Sequence, residues 1–91
     1  MKTRVIESNI TPAEKRDLLR RLGQSVKEAR ENKGLTQLSL SLETGLSKAF
    51  LSDLECGRRN PSFETLCRLA KALQIDLGKL LDFPADENQS K

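Results

Sequence analysis

Thr36-Gln37-Leu38-Ser39-Leu40-Ser41-Leu42-Glu43-Thr44-Gly45-Leu46-Ser47-Lys48-Ala49-Phe50-Leu51-Ser52-Asp53-Leu54 is the stretch that decides the fold. From Leu38 to Leu42 apolar and polar residues alternate, as in a half-buried strand. The flanks overrule that reading. Thr36 is a helix-capping residue, Gly45 follows one short helix later, and no partner strand is in view. Gly45-Leu46-Ser47 then reads as a tight turn, with glycine where a Cβ would cost strain. Ser47 caps a further helix whose apolar positions are Phe50, Leu51 and Leu54. Leu40, Leu46, Leu51 and Leu54 point inward and set the crossing angle of the two helices, and Ser41 is small where they meet. Six suitable residues at suitable spacing make a fairly specific pattern of two helices joined by a tight turn.

Upstream, Thr11-Pro12-Ala13-Glu14 is a helix start: Thr11 caps, Pro12 suits the first helical position and Glu14 completes a capping box. Leu18, Leu19, Leu22, Val26 and Ala29 then recur at spacings of three and four, one apolar face of a helix. Gly34 ends that helix in the left-handed conformation. Gly23 interrupts it at a cost of about 1 kcal/mol relative to alanine and marks a bend, before which a separate short helix could stand. Downstream, Gly57 stops the third helix and Arg58-Arg59-Asn60-Pro61 forms a polar loop. Ser62 caps a fourth helix with Leu66, Leu69, Ala70 and Leu73 on one face. Asp76 is expected to cap a short fifth helix carrying Leu77, Leu80 and Leu81. From Phe83 the chain turns polar and acidic, a tail expected to be disordered. The expectation is an all-α, compact five-helix bundle over residues 12–82, with an N-terminal extension (1–11) and a polar tail (83–91).

Composition limits the function. Ninety-one residues leave room for one domain, and 36% hydrophobic with 32% charged residues suits a soluble globular one. No apolar run is long enough to span a bilayer, and Met1 to Asn9 lack the apolar block of a signal peptide, so a cytoplasmic location is expected. The net charge of +3 is mildly basic. Residues 1–35 hold nine Lys or Arg against five Asp or Glu, including Lys2, Arg4, Lys15, Arg16, Arg20 and Arg21. That cluster fits a solvated helix face as well as a phosphate-binding arm. The chain has no histidine, which removes the usual general base and the commonest metal ligand. Cys56 and Cys67 cannot complete a zinc site by themselves and read as free, partly buried thiols. Catalytic, metal-binding and cofactor-binding residues are therefore assigned to none, and the chain is not expected to be an enzyme.

The stretch from Leu22 to Leu81 resembles the Cro and phage-repressor type of helix-turn-helix, the XRE family. The resemblance is carried by Lys33-Gly34-Leu35-Thr36-Gln37, by the Gly45-Leu46-Ser47 turn, and by Phe50 through Ser62 with Glu55-Cys56-Gly57-Arg58-Arg59-Asn60-Pro61 at its centre. It implies a lambda-repressor-like bundle and a sequence-specific, DNA-binding transcriptional regulator. Members are repressors, activators, antitoxins and controller proteins, usually homodimers on pseudo-palindromic operators in double-stranded DNA. The third helix is expected in the major groove, with Lys48, Ala49, Ser52 and Asp53 on the base side. Lys48 can donate to guanine O6 or N7, Ala49 can touch a thymine methyl, and Ser52 can donate or accept. Asp53 either accepts from cytosine N4 or pairs locally with Lys48 or Arg58. Gln37, Ser47, Arg58, Arg59 and Asn60 are expected at backbone phosphates, where they add affinity and salt dependence rather than sequence choice. Arg30 and Glu55 are expected to form a structural salt bridge between the first and third helices.

Two departures from the family pattern stand out. Leu38 and Leu42 share a helical face where the family places polar residues. Cover by the N-terminal extension through Val5, Ile6 or Ile10 is expected, a protein partner being the alternative. Cys56 replaces a residue that is often polar and is expected to be an inert thiol. Dimerisation is expected through the C-terminal helices, with Leu77, Leu80, Leu81 and Phe83 as contacts that could equally close the monomer core. The rival functional class is a protein-interaction module on the same fold, of antitoxin or coactivator type, with little DNA binding.

Overall fold

Hydroxyl caps set the helix boundaries. The computed structural model describes residues 9–83, which form α1 (Pro12–Asn32), α2 (Gln37–Thr44), α3 (Lys48–Glu55), α4 (Phe63–Leu73) and α5 (Leu77–Leu80). No strand occurs among the described residues. Thr11, Thr36, Ser47 and Ser62 hold extended backbone, and each accepts the N–H of the residue three positions on. Thr11 with Glu14, and Thr36 with Ser39, bond reciprocally as capping boxes. Asp76 precedes α5, but its side chain makes no capping bond, contrary to expectation. A single turn of helix is held there by packing instead, with Leu80 completely buried.

The alternation of Leu38, Leu40 and Leu42 resolves as helix. Residues two apart in an α-helix point to nearly opposite sides, and residues four apart share a side. Leu40 is accordingly buried while Leu38 and Leu42 stand outside, 55% and 77% exposed. Every helix contributes to the core: Leu22 and Val26 from α1, Leu40 from α2, Leu51 and Leu54 from α3, Leu69, Ala70 and Leu73 from α4, and Leu80 from α5. α1 packs against α3, α4 and α5, while α2 packs against α3 and α4. The Ser25 hydroxyl donates to the Leu80 carbonyl and ties α5 to α1.

Several expectations need correction. α1 runs unbroken through Gly23, so no separate short helix precedes it. Gly23 serves close approach: a Cβ there would collide with the Leu54 carbonyl and lie 2.7 Å from that of Glu55. Gly57 (φ 82°) combines two demands, since it is left-handed and its Cβ would meet the Arg20 Cα at 2.9 Å. α1 thus lies directly on the end of α3. Leu18 is exposed although it is in register with the apolar face of α1. Ile10 is itself 59% exposed, and Leu38 and Leu42 stay exposed, so the described residues give them no cover; Val5 and Ile6 lie outside the described residues. The expected tail, apart from Phe83, also lies outside them. Cys56 and Cys67 are free, as expected, but exposed rather than partly buried. Of the residues expected at a dimer contact, Leu80 closes the monomer core, Leu77 and Phe83 are half-buried, and Leu81 is exposed.

Two glycine-to-alanine substitutions should therefore differ in sign. Gly23→Ala gains about 1 kcal/mol of helix propensity but overpacks rigid backbone, and should lower stability by about 1–3 kcal/mol net. Gly78→Ala in α5 meets nothing within 4 Å and should raise it by about 0.5–1 kcal/mol. Urea unfolding midpoints of the two variants against the parent chain test this.

Candidate nucleic-acid interface

The turn between α2 and α3 is locked by side chains as well as by glycine. Gly45 caps α2 in the left-handed conformation (φ 79°). The Ser41 hydroxyl donates to the Leu46 carbonyl at 2.5 Å. Thr44 is buried; its hydroxyl donates to the Leu40 carbonyl at 2.8 Å and accepts the Leu46 N–H at 3.2 Å. Arg68 reaches across from α4 to the Thr44 carbonyl. Small size alone accounts for Ser41 in a sequence reading; the structure adds its hydrogen bond. Thr44 was missed, and its only signal was a hydroxyl residue immediately before the turn glycine.

α3 is thereby presented with one face inward and one outward. Leu51 and Leu54 are wholly buried, and their side chains leave the opposite face to Lys48, Ala49, Ser52 and Asp53. Lys48 and Ala49 are exposed, and Ser52 and Asp53 half-buried. The four base-side candidates therefore lie together along the outward face. Ser47 stands at the start of the same helix, its hydroxyl accepting the Phe50 N–H at 2.9 Å. Arg58, Arg59 and Asn60 are exposed just past the other end. Asp53 has taken the local partner: Arg58 Nη2 lies 3.3 Å from one carboxylate oxygen and Arg59 Nε 3.7 Å from the other. The Arg59 guanidinium also rests over the Phe50 ring, 5.2 Å from its centre.

Gln37 occupies the first position of α2, where backbone N–H groups precede the first intrahelical bond, Leu40 N–H to Thr36 O. Its side chain is engaged with the scaffold: Nε2 donates to Glu55 Oε1 at 3.0 Å. Glu55 is the hub. Arg30 grips it with two parallel bonds, Nε to Oε2 at 2.7 Å and Nη2 to Oε1 at 3.0 Å, and its Nη1 donates to the Leu35 carbonyl at 2.8 Å. The two side chains are 10% and 4% exposed. The hydrogen bonds that Arg30 donates to Glu55 raise its pKa above the ordinary value against the opposing effect of burial, so the arginine stays charged at any practical pH. The expected bridge between the first and third helices is present, and the structure adds Gln37 and the Leu35 carbonyl to it.

Among the described residues no three His, Cys, Asp or Glu side chains come together to hold a metal ion, and no helix is long and apolar enough to cross a membrane. Residues 26–80 match the family model described as helix-turn-helix. The chain belongs to the helix-turn-helix family of phage-repressor (XRE) type. A relative, the HTH-type transcriptional regulator y4dJ of Sinorhizobium fredii, is 41% identical over 71 residues, covering 78% of this chain and 91% of that protein. The restriction–modification controller protein C.AhdI from Aeromonas hydrophila superimposes with a TM-score of 0.66 at 38% identity, over 70% of this chain and 96% of that one. The controller protein C.Esp1396I, solved as a tetramer with its natural 35 base-pair operator, does so at 0.62 and 27% identity, over 70% and 93%. These relatives are regulators, and the helix-turn-helix lies inside every matched region.

Removing one member of the buried pair strands the other. Arg30→Ala and Glu55→Ala should each cost about 3–5 kcal/mol in urea unfolding. Replacing both by apolar residues of similar size, Arg30→Met with Glu55→Leu, should cost markedly less than the two single losses together, measured by the same unfolding curves as a double-mutant cycle.

Proposed function

We propose that this chain is a sequence-specific transcriptional regulator that binds a pseudo-palindromic operator in double-stranded DNA as a homodimer. The observation that carries the reading is the outward face of α3. Lys48, Ala49, Ser52 and Asp53 lie along it, while cations and amides flank both ends of the motif. A helix of this size fits the major groove. Lys48, Ala49 and Ser52 are the groups for base edges, joined by Asp53 where its carboxylate leaves the two arginines. The α2 N-terminus with Gln37, the α3 N-terminus with Ser47, and Arg58, Arg59 and Asn60 are the groups for phosphate. Gln37 acts through its backbone N–H and the exposed part of its side chain, because its amide is held by Glu55.

The assembly is a two-fold dimer through the C-terminal surface, where Leu81 is exposed beside half-buried Leu77 and Phe83. Two recognition helices then meet half-sites about one DNA turn apart, roughly 34–36 Å. The chain works in the cytoplasm as a binding protein without catalysis; the absence of histidine from the sequence agrees with that. Whether the operator is repressed or activated depends on where it lies relative to a promoter.

Fluorescence anisotropy on a mixed pool of duplexes at several salt concentrations, followed by selection of the bound sequences, tests the reading. Affinity should fall steeply with salt, and a palindrome should be enriched. Arg59→Ala should weaken binding about equally on all duplexes and reduce the salt slope by about one. Lys48→Ala should cost about 1–3 kcal/mol on the enriched operator and relax the choice of base at one position in each half-site. No binding at low salt overturns the reading and points to a protein partner at Leu38 and Leu42.

A further inference from the structure

We infer that Asp53 sets the specificity of this interface by competing with DNA phosphate for Arg58 and Arg59. The inference rests on the reading of α3 as the recognition helix and adds a mechanism to it. A carboxylate on a DNA-facing helix is out of place by charge alone, since it meets a phosphate-rich surface. Here it is placed against both arginines that follow the helix, at 3.3 and 3.7 Å. Carboxylate and phosphate oxygens are equivalent partners for a guanidinium. In the free protein Asp53 therefore occupies the arginines in the way a phosphate does.

The arrangement is built to exchange. Arg58 and Arg59 are 64% and 51% exposed and Asp53 is 36% exposed, so water and salt reach the pairs and they are weak. The arginines do not drift when released. Arg58 N–H donates to the Asp53 carbonyl at 2.8 Å, which anchors the loop to α3, and Arg59 stays seated on the Phe50 ring. Binding any duplex frees the Asp53 carboxylate at a cost. On a correct site the carboxylate recovers a partner, an exocyclic amino group such as that of cytosine in the groove. On a wrong site it faces acceptors and remains unpaired. The penalty falls on non-specific DNA, and discrimination rises because the wrong complex is weakened.

The test uses the full chain as wild type, Asp53→Asn, an Arg58→Ala/Arg59→Ala variant, and the triple variant. Anisotropy is read on a random-sequence duplex pool and on the duplex enriched by the wild type. Asp53→Asn is expected to bind the random pool about three- to fivefold more tightly, with no such gain on the enriched duplex, so that the specificity ratio falls. The gain on the pool should vanish when both arginines are already absent. An equal gain without the arginines would show that net charge alone acts, and would overturn the inference. So would an unchanged specificity ratio. Circular dichroism melting of Asp53→Asn separates these results from misfolding. Failure of the wild type to bind any duplex at low salt would overturn the DNA reading as well, and is distinguishable because no variant is involved.

Discussion

One carboxylate joins three helices. Glu55, near the end of α3, receives two bonds from Arg30 of α1 and one from Gln37 of α2, while Arg30 also holds the Leu35 carbonyl in the α1–α2 connection. A buried ion pair is poor evidence of net stability, because desolvation offsets most of the attraction. Its strength lies in direction. The guanidinium is a planar fork and the carboxylate a matching one, so the bonds hold only at one relative placement of α1 and α3. Apolar contacts among Leu22, Val26, Leu51 and Leu54 tolerate sliding far better. The pair therefore fixes the pose of the recognition helix, while the leucines supply the driving force for burial.

That pose also needs the backbones to come close, and two glycines permit it. Gly23 admits the carbonyls of Leu54 and Glu55 against α1, and Gly57 admits the backbone of Arg20 against the end of α3. Both contacts lie at the C-terminal end of α3, the end that carries the Arg58-Arg59-Asn60 loop. The family match begins at residue 26. The first two-thirds of α1 lies ahead of it, yet Arg20 is part of the seat of α3. Asp17 braces that segment, its carboxyl held below the usual carboxylate range chiefly by the hydrogen bond from Arg20, 2.7 Å away. These helical turns are continuous with the matched part of α1 and meet the end of α3 from one side.

The helices were legible in the sequence because their boundaries are local. Thr11, Thr36, Ser47 and Ser62 cap within four residues of themselves, and Gly34, Gly45 and Gly57 take the positive φ that such stops require. The alternating leucines were legible only through those flanks. Gly23 was misread because its reason is not local: nothing within α1 needs a glycine, and the carbonyls that demand one belong to Leu54 and Glu55, 31 and 32 residues further along the chain. Asp76 failed in the opposite way, since a good capping residue stood where tertiary packing of Leu80 already sufficed. The candidate site divides along the same line. The outward set on α3 came from the family resemblance and agrees with the helical period, whereas the partners of Gln37 and Asp53 depended on how α2, α3 and the following loop meet.

Two arginine–carboxylate arrangements sit at the two ends of this logic. Arg30 and Glu55 are 10% and 4% exposed; Arg58 and Asp53 are 64% and 36% exposed. The chemistry is the same and the surroundings differ. Shielded from water, the buried pair meets few competitors and stays closed, so it behaves as structure. In water, the exposed pair has competitors of equal quality at every moment, so its partners are free to change. On the proposed reading DNA phosphate is a competitor of that kind, and it reaches the exposed pair because the buried one has already aimed α3. On that reading the rigid pair determines where the helix meets a ligand, and the labile one how much the meeting is worth.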